Sequence, residues 1–346
     1  MSEFFISKEL PGFKKFYNSL SSTDNLFYMF FTTDLLFWVK KSLSFIPRDV
    51  NIVLIGAGLR DNEILWINNN CNRPFYHIEE YCDDREVWSL LFQTNKKNFG
   101  WVDADCFILN PKLFKEMIEI DDDVAINCVW SYRDKNSNYE FLNTYFLYIN
   151  MDVLNAIRKR DIEITPYTYI YNEADAVTFT KSKILNGEHL KIIRQYFPEC
   201  IYPDGVVFFD TLLVYQMIAE HYGYGLKKIR QLNFNNYMSD EAVHVGGGCV
   251  FSTPMYDNIK NFTIRFMTDE SMIGKRIMCY IQNYLILHQV LAELPYKYKL
   301  REEIIMEEIK KAGIKPEEFT SLCIKIFKRN HLSEETIHKL LQSDAC

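Results

Sequence analysis

FGWVDADCFILN, residues Phe99–Asn110, consists of two apolar runs with a pair of acids between them. Asp103 and Asp105 are separated by one small residue, and side chains at i and i+2 of an extended chain point to the same side. Carboxylates that face one way offer hard oxygen ligands for Mg²⁺ or Mn²⁺, and such an ion can hold a diphosphate. A turn is the alternative, because Asp is common where strands end. A solvated turn needs no apolar flanks, and burying unpartnered charge is costly, so the flanks favour a metal site.

The bulk composition predicts a packed globular protein. Of the 346 residues, 48% are hydrophobic and 15% aromatic, which supports a large core and argues against disorder. The net charge of −7 argues against a general nucleic-acid binder. Nine cysteines without a Cys-x-x-Cys pair argue against both a disulfide scaffold and a zinc site. With an N-terminus that lacks the form of a signal peptide, they predict a reducing, cytoplasmic location.

The most apolar window is Leu26–Val39. Thr32, Thr33 and Asp34 interrupt it, so it is too short and too polar to cross a bilayer. It predicts a buried helix that continues to Ser44, within an N-terminal section that reads as helical up to Pro47.

Alternating apolar strands and helices then predict an α/β fold. Asn51–Gly58 is an apolar strand that ends in a glycine turn, and Leu59–Glu63 opens a helix, as at the start of nucleotide-binding α/β units. Gly56 and Gly58 would let the backbone approach a ligand closely. Arg60 follows this turn. Glu79 and Glu80 follow the next strand, Phe75–Ile78, where dinucleotide- and S-adenosylmethionine-binding folds carry a ribose ligand.

Two later strands carry candidate site residues. Asn143–Asn150 is an apolar strand that carries Asn143 and Tyr145 near its start. Ala242–Gly248 is a strand with His244 followed by three glycines. Neutral imidazole is a good Mn²⁺ ligand, although a histidine on an apolar strand also serves as a hydrogen-bonded core residue.

In this order, the stretches resemble the GT-A glycosyltransferases, which bind a nucleotide-sugar through a divalent cation. The resemblance covers about residues 50–250 and implies a GT-A-like (Rossmann-like) mixed sheet flanked by helices. The implied donor is a nucleoside-diphosphate sugar, with UDP favoured. The implied acceptor is a hydroxyl of a glycan, a lipid-linked glycan, a small molecule or a protein. The Mn²⁺ or Mg²⁺ ligands that it implies are Asp103, Asp105 and His244, and the glycines that it places near the diphosphate are Gly246 and Gly247. It also implies that Arg60 could contact the base or the diphosphate and that Asn143 and Tyr145 could contact a sugar.

The segment Tyr202–Leu213 resembles the family's helix start, whose Asp is the catalytic base in inverting members. Asp210 matches that Asp, but Phe209 stands where the family has Glu. Asp204 is a second candidate carboxylate. The structural alternative for Asp210 is an N-cap of the helix that follows.

The pattern changes to helices near residue 271, which predicts a GT-A-like domain in residues 1–270 and a C-terminal helical region in residues 271–346. The predicted C-terminal helices are Ile273–Leu294, Arg301–Ala312, Glu317–Arg329 and Ser333–Gln342. Their basic faces leave three roles open: packing or oligomerisation, docking of an acidic acceptor, and peripheral contact with a membrane.

Two other functions stay open at this level. An S-adenosylmethionine-dependent methyltransferase would use the Gly56-Ala57-Gly58 turn with Glu79 or Glu80, although Asp61 replaces the third glycine of Gly-x-Gly-x-x-Gly. A non-catalytic nucleotide-sugar binder would keep the metal site and lack the base.

Overall fold

The structure, a computed structural model, describes residues 2–33, 35–134, 137, 139–160, 162, 164, 166, 168–171, 182–197, 208–230, 232, 238–244, 321, 324, 327–328 and 331–341. The chain falls into two compact units. The first comprises Met1–Phe30, Arg48–Asp103 and Lys112–Gln231, and the second comprises Phe31–Pro47, Ala104–Pro111 and Leu232–Cys346. The domain boundary predicted at residue 270 lies outside the described residues and stays a prediction.

Helices and strands alternate along most of the described chain. The helices are α1 (Ser2–Ser19), α2 (Leu36–Phe45), α3 (Asp61–Asn70), α4 (Asp84–Thr94), α5 (Lys112–Ile118), α6 (Met151–Arg158), α7 (Gly187–Tyr196), α8 (Leu213–His221) and α9 (Glu334–Leu341). The strands are β1 (Leu26–Thr32), β2 (Ile52–Ala57), β3 (Phe75–Ile78), β4 (Phe99–Val102), β5 (Cys106–Ile108), β6 (Val124–Cys128), β7 (Ser131–Arg133), β8 (Glu140–Leu142), β9 (Phe146–Ile149), β10 (Tyr169–Ile170), β11 (Lys183–Ile184), β12 (Phe208–Phe209), β13 (Gly225–Lys228) and β14 (Ala242–His244).

A seven-stranded mixed sheet organises the first unit, with the strand order β13-β6-β9-β4-β1-β2-β3. The pairs β1–β4, β2–β3 and β6–β13 are parallel, whereas β9 runs antiparallel to both β4 and β6. The order runs outward from β1 to β3 and then returns to the other side of β1 with β4. Ligands of open α/β sheets bind at the carboxyl ends of strands where the order reverses, here β1 and β4. The predicted α/β fold with a mixed, mostly parallel sheet is confirmed.

The N-terminal section differs from its prediction. Leu26–Thr32 forms the strand β1 instead of the first part of a helix, and α2 begins only at Leu36. A short, continuous apolar run cannot be assigned to helix or buried strand by periodicity alone, and the aromatic residues of this one favour a strand. Asn51–Gly58 therefore supplies the second strand of the sheet and not the first.

A close aromatic core holds the central strands in place. Gly100 of β4 lies opposite Phe27 of β1, whose ring packs edge-on against Phe114 at 5.1 Å between ring centroids. Trp101, the next residue of β4, stacks on Trp88 of α4 at 4.6 Å. All five residues are buried. The strand β4 is therefore packed on both faces of the sheet immediately before its acidic end.

The second unit contains α2, β5, β14 and α9. Strands β5 and β14 pair antiparallel, with His244 opposite Cys106. Trp38 of α2 stacks on Phe107 of β5 at 6.1 Å, and Ser42 Oγ donates a hydrogen bond to the Cys106 carbonyl at 2.8 Å. The helix α2 therefore packs against the strand that directly follows Asp105.

For several elements the bounds in the structure agree with the predicted bounds to within a few residues. The strand Phe75–Ile78 has the predicted bounds, and the last predicted helix, Ser333–Gln342, corresponds to α9. The other three predicted C-terminal helices lie wholly or mainly outside the described residues. Within the part of the chain that is described, no helix combines the length and the apolar character needed to cross a membrane.

Candidate functional site

Asp103 stands at the carboxyl end of β4, at the position where the strand order reverses. Its backbone N–H donates to the Tyr145 carbonyl at 2.8 Å, which continues the pairing of β4 with β9 by one residue. Its carboxylate oxygen Oδ1 accepts a hydrogen bond from Trp101 Nε1 at 2.5 Å. The side chain of Asp103 is partly exposed, so one oxygen is positioned by Trp101 while the carboxylate stays accessible to a ligand.

Asp105 and His244 meet in the second unit. Their atoms Oδ1 and Nε2 lie 3.4 Å apart, and the two side chains are only about 5% and 4% exposed. The register explains the meeting, because β14 places His244 opposite Cys106, the residue that follows Asp105. A buried carboxylate beside a buried imidazole is stabilised either by proton sharing or by a common cation.

The amino end of α4 adds carboxylates that sequence reasoning missed. Asp84, the first residue of α4, accepts a hydrogen bond from Thr211 Oγ1 at 3.2 Å. The backbone N–H of Thr211 donates to Asp210 Oδ1 at 2.8 Å. Thr211 therefore links Asp84 to Asp210, and these residues lie in the same unit as Asp103.

The environment of this carboxylate pair raises both pKa values. Loss of hydration, followed by the negative charges of Asp210, Asp83 and Asp103, raises the pKa of Asp84 to about 7. Loss of hydration also raises the pKa of Asp210. At the surface Asp84 is partly exposed and Asp210 is exposed, while the dense protein around them reduces the hydration of both carboxylates. Carboxylates of this kind are candidate proton acceptors near neutral pH.

The structural alternative for Asp210, an N-cap of the following helix, does not match the structure. The helix α8 begins at Leu213, and the capping position belongs to Leu212, which has a left-handed backbone with φ of 67°. The Asp210 carboxylate bonds to the adjacent Thr211 N–H and not to an N–H of the first helical turn. Its side chain thus has no capping task in the described structure.

Asn143, a predicted sugar contact, lies between β8 and β9. It is 5% exposed, and neither its amide oxygen nor its amide nitrogen has a hydrogen-bond partner among the described residues. Its backbone N–H donates to the Trp130 carbonyl at 2.9 Å, which fixes its position two residues before Tyr145. A buried amide without partners is costly, which makes Asn143 a candidate for contact with a polar ligand.

The glycine turn after β2 has a packing explanation. A Cβ on Gly56 would lie 2.4 Å from the Leu59 side chain, and a Cβ on Gly58 would lie 3.1 Å from the Tyr81 backbone. Gly58 also has a positive φ of 61°, which favours glycine. The turn follows β2, one strand away from the reversal of strand order between β1 and β4.

The charged residues predicted near this turn have protein partners or face solvent. Arg60 pairs with Glu63, with 3.5 Å between Nε and Oε2. Glu79 and Glu80 are exposed, and Glu80 forms an ion pair with Lys8 at 2.7 Å. Nucleotide contacts for Gly56, Gly58, Arg60 and Glu79 stay predictions. Asp204, Gly246 and Gly247 lie outside the described residues.

The sequence around Asp84 has a feature that could have marked it as a site residue, but the same feature is also typical of an ordinary helix start. Asp83, Asp84 and Arg85 open a helix, and acids in a first turn normally read as favourable partners of the helix dipole. Arg85 Nη2 does bond Asp83 Oδ2 at 2.5 Å. Only the position of Thr211 and Asp210, more than a hundred residues later in the chain, turns Asp84 from a helix-start residue into part of a carboxylate pair.

Comparison with known proteins adds a family signal for the N-terminal part. The model of the StrH glycosyltransferase N-terminal domain matches residues 6–154. Over 122 residues the chain is 29% identical to dTDP-dihydrostreptose--streptidine-6-phosphate dihydrostreptosyltransferase of Streptomyces griseus. This match covers 35% of the chain and 32% of the relative, so it spans about a third of the relative's length.

Solved structures show only weak likeness. The glycosyltransferase GlyE of Streptococcus pneumoniae TIGR4 is 10% identical, with a TM-score of 0.27 over 49% of this chain and 48% of GlyE. HddC from Yersinia pseudotuberculosis is also 10% identical, with a TM-score of 0.28 over 57% of this chain and 99% of HddC. Neither score is high enough to carry an argument. The sequence similarity is to a glycosyltransferase N-terminal domain, and the matched range 6–154 contains positions 103 and 105.

Proposed function

We propose that this protein transfers a sugar from a nucleoside-diphosphate sugar to a hydroxyl group of an acceptor, with a divalent cation bound by Asp103, Asp105 and His244. The observation that carries the proposal is the buried meeting of Asp105 with His244, two positions after Asp103. The similarity of residues 6–154 to a glycosyltransferase domain supports the same reaction class.

The chemistry of the donor set fits Mn²⁺ or Mg²⁺. Carboxylate oxygens suit both ions, and an imidazole nitrogen suits Mn²⁺ better. Neighbouring ligands of an octahedral ion with bonds of about 2.1 Å lie roughly 3 Å apart. The 3.4 Å between Asp105 Oδ1 and His244 Nε2 is close to that spacing and longer than a strong charge-assisted hydrogen bond.

The bound ion, Trp101 and Asn143 would each contribute to this reaction. A bound divalent ion supplies charge neutralisation for the leaving diphosphate. Trp101 holds one oxygen of Asp103 and so fixes the direction of that carboxylate. The unpartnered amide of Asn143 can bond a sugar hydroxyl, because it offers both a donor and an acceptor.

Asp210 is the proposed proton acceptor for the acceptor hydroxyl. Its raised pKa makes the ionised carboxylate a stronger base than an ordinary Asp, and its exposed side chain is open to a substrate. Thr211 connects it to Asp84, whose charge disfavours ionisation of both groups at once. Asp204 stays a second candidate.

The donor nucleotide is the least determined part of the proposal. UDP is favoured by the GT-A resemblance, whereas the named substrate of the Streptomyces griseus relative is a dTDP-sugar. That relative's other substrate is a phosphorylated molecule, streptidine-6-phosphate. A donor screen therefore compares UDP- and dTDP-sugars first, and the acceptor screen begins with small molecules before glycans, lipid-linked glycans and proteins.

Calorimetric titration of UDP and dTDP, with and without Mn²⁺, tests the metal site. Asp103→Asn and Asp105→Asn should each abolish Mn²⁺-dependent binding, since both changes keep shape and remove charge. His244→Ala should weaken it by about 10–100-fold, less than loss of a charged ligand. The matched control is Asp122→Asn, an exposed acid in a run of three.

The outcomes separate the competing functions. Normal Mn²⁺-dependent binding in both Asp variants would remove the metal site and the proposal with it. Binding without sugar transfer or donor hydrolysis would indicate a nucleotide-sugar binder. Binding of S-adenosylmethionine instead would restore the methyltransferase hypothesis, which the position of the glycine turn away from the β1/β4 reversal now disfavours.

A further inference from the structure

A second cleft lies in the first unit, at the opposite end of β4 from Asp103. It has a volume of about 520 Å³ and lies between α1, the last turn of α4 with the loop that follows it, and the end of α6. The helix α4 runs from the carboxylates of the candidate site to this cleft, since Asp84 is its first residue and Thr94 is the last of its 11 residues. At 1.5 Å per residue, the ends of this helix are roughly 15 Å apart.

The lining of this cleft is basic. Lys14, Lys96 and Arg158 line it, and no Asp or Glu does. Among the described residues, neither lysine has an ion-pair partner, although the chain as a whole carries a net charge of −7. Three cations around one concave surface repel one another, and an anion placed between them would relieve that repulsion.

Arg158 is the partly buried cation of the three. Its Nη1 donates to the Phe92 carbonyl at 3.1 Å, and its guanidinium lies 5.9 Å from the centre of the Phe92 ring. Loss of hydration lowers the pKa of Arg158. It bonds a carbonyl and the Asn155 amide but no carboxylate within the described part of the chain. A guanidinium held in this way presents its remaining N–H groups in a fixed geometry.

Thr94 supplies an independent observation. It lines the cleft, is 5% exposed, and its hydroxyl Oγ1 has no hydrogen-bond partner among the described residues. A buried hydroxyl without a partner destabilises the folded protein. The hydroxyl oxygen is covered by protein, so it meets an anion in the cleft only when the Thr94 side chain turns toward the cleft; once turned, it can donate to an oxyanion.

We propose that this cleft binds a phosphate-bearing anion, held by Lys14, Lys96 and Arg158 and by the Thr94 hydroxyl. The size of the cleft accommodates more than an inorganic ion, and the aromatic rings of Tyr17 and Phe92 among its lining suit an organic ligand attached to the phosphate. The site is distinct from the carboxylates at the amino end of α4 and independent of the proposed sugar transfer.

Titration calorimetry with inorganic phosphate and inorganic pyrophosphate tests the site. EDTA is present, so that no divalent cation links the probe to Asp103 or Asp105. The wild type should bind at one saturable site. The double variant Lys14→Gln/Lys96→Gln should lose about tenfold or more in affinity, because it removes two charged donors.

The matched control is Lys15→Gln/Lys159→Gln. Both lysines are exposed neighbours of lining residues that do not line the cleft, and the net charge changes equally. This variant should stay within about twofold of the wild type if binding is local and not a general charge effect. An equal loss in both double variants, or no saturable binding of either probe to the wild type, would overturn the proposal.

Thr94→Val separates a role of the hydroxyl in binding from a role in stability, because affinity for the probe and the thermal midpoint are measured on the same variant. Valine is nearly isosteric and removes an unsatisfied hydroxyl, so the thermal midpoint of the free protein should rise. Affinity for the probe should fall about two- to tenfold, the usual cost of one neutral hydrogen bond. Unchanged affinity with a raised midpoint would remove Thr94 from the site.

Discussion

At the scale of single residues, the described site divides into two chemical sets. Asp105 and His244 are buried and face one another, which suits a cation. Asp84 is partly exposed, Asp210 is exposed, and Thr211 links them, which suits proton transfer. Aspartate would thus have two roles in the proposed function, cation binding and proton transfer, and burial and neighbouring residues make the difference between them.

Asp210→Asn tests the base. If Asp210 accepts the proton, turnover should fall by about 10²–10⁴-fold while donor binding stays nearly unchanged. Asparagine keeps the oxygen that accepts the Thr211 N–H bond, and Asp210 caps no helix, so the fold should be preserved. Steady-state kinetics and donor titration are the measurements. Wild-type turnover would exclude Asp210 and point to Asp84, Asp204 or a retaining reaction.

Asp84→Asn tests the raised pKa through stability. An aspartate has a pKa near 3.9 when unfolded, and folding raises that of Asp84 to about 7. Between these values the folded state holds a proton that the unfolded state releases, so this group lowers stability as pH rises. Thermal unfolding in EDTA should show little difference from the wild type near pH 4 and a growing gain for the variant up to pH 8. Asp122→Asn should show no such trend, and neither should Asp84→Asn if its pKa is ordinary.

At the scale of elements, β4 is the piece on which the site depends. It pairs with β1 and β9, carries Asp103 at its end, and packs Trp101 on Trp88 of α4. Since Asp84 begins that same helix, one packing contact between β4 and α4 helps place both acids. The absence of a side chain at Gly100 makes room for the ring of Phe27 on the neighbouring strand.

Gly100→Ala tests this packing. The added methyl group would lie 2.1 Å from Phe27 Cδ1, and Phe27 is itself enclosed by aromatic rings, so the ring cannot move freely. Overpacking of this kind costs about 1–3 kcal/mol, measured by denaturant unfolding. Gly12→Ala is the contrast, because that methyl group would meet only the Tyr76 hydroxyl, at the movable end of a side chain. Equal stability of both variants would contradict the packing argument.

At the scale of the whole molecule, ligand-induced stabilisation distinguishes the functions. A ligand that binds only the folded state adds about 2.7 kcal/mol at 100 times its Kd. UDP or dTDP with Mn²⁺ should therefore raise the unfolding midpoint, and either nucleotide without metal should raise it far less. S-adenosylmethionine should have no effect. A midpoint that responds equally with and without Mn²⁺ would contradict a metal-dependent donor site.

The sequence alone determined the α/β class, many strand and helix positions and the acid pair. Local patterns suffice there, because a buried strand before Asp103 follows from the apolar run that precedes it. The sequence also indicated glycosyltransfer through the order of its motifs, which agrees with the matched glycosyltransferase domain.

Only the tertiary structure decided how distant residues combine. A run such as Leu26–Thr32 fits a helix or a strand until a partner strand is present, and here β4 is that partner. Asp84 and Asp210 are 126 positions apart in the chain and meet through Thr211. The shifted pKa values, the unpartnered Asn143 amide and the basic cleft arise in the same way, because burial and charge proximity are properties of the folded chain and not of any one segment.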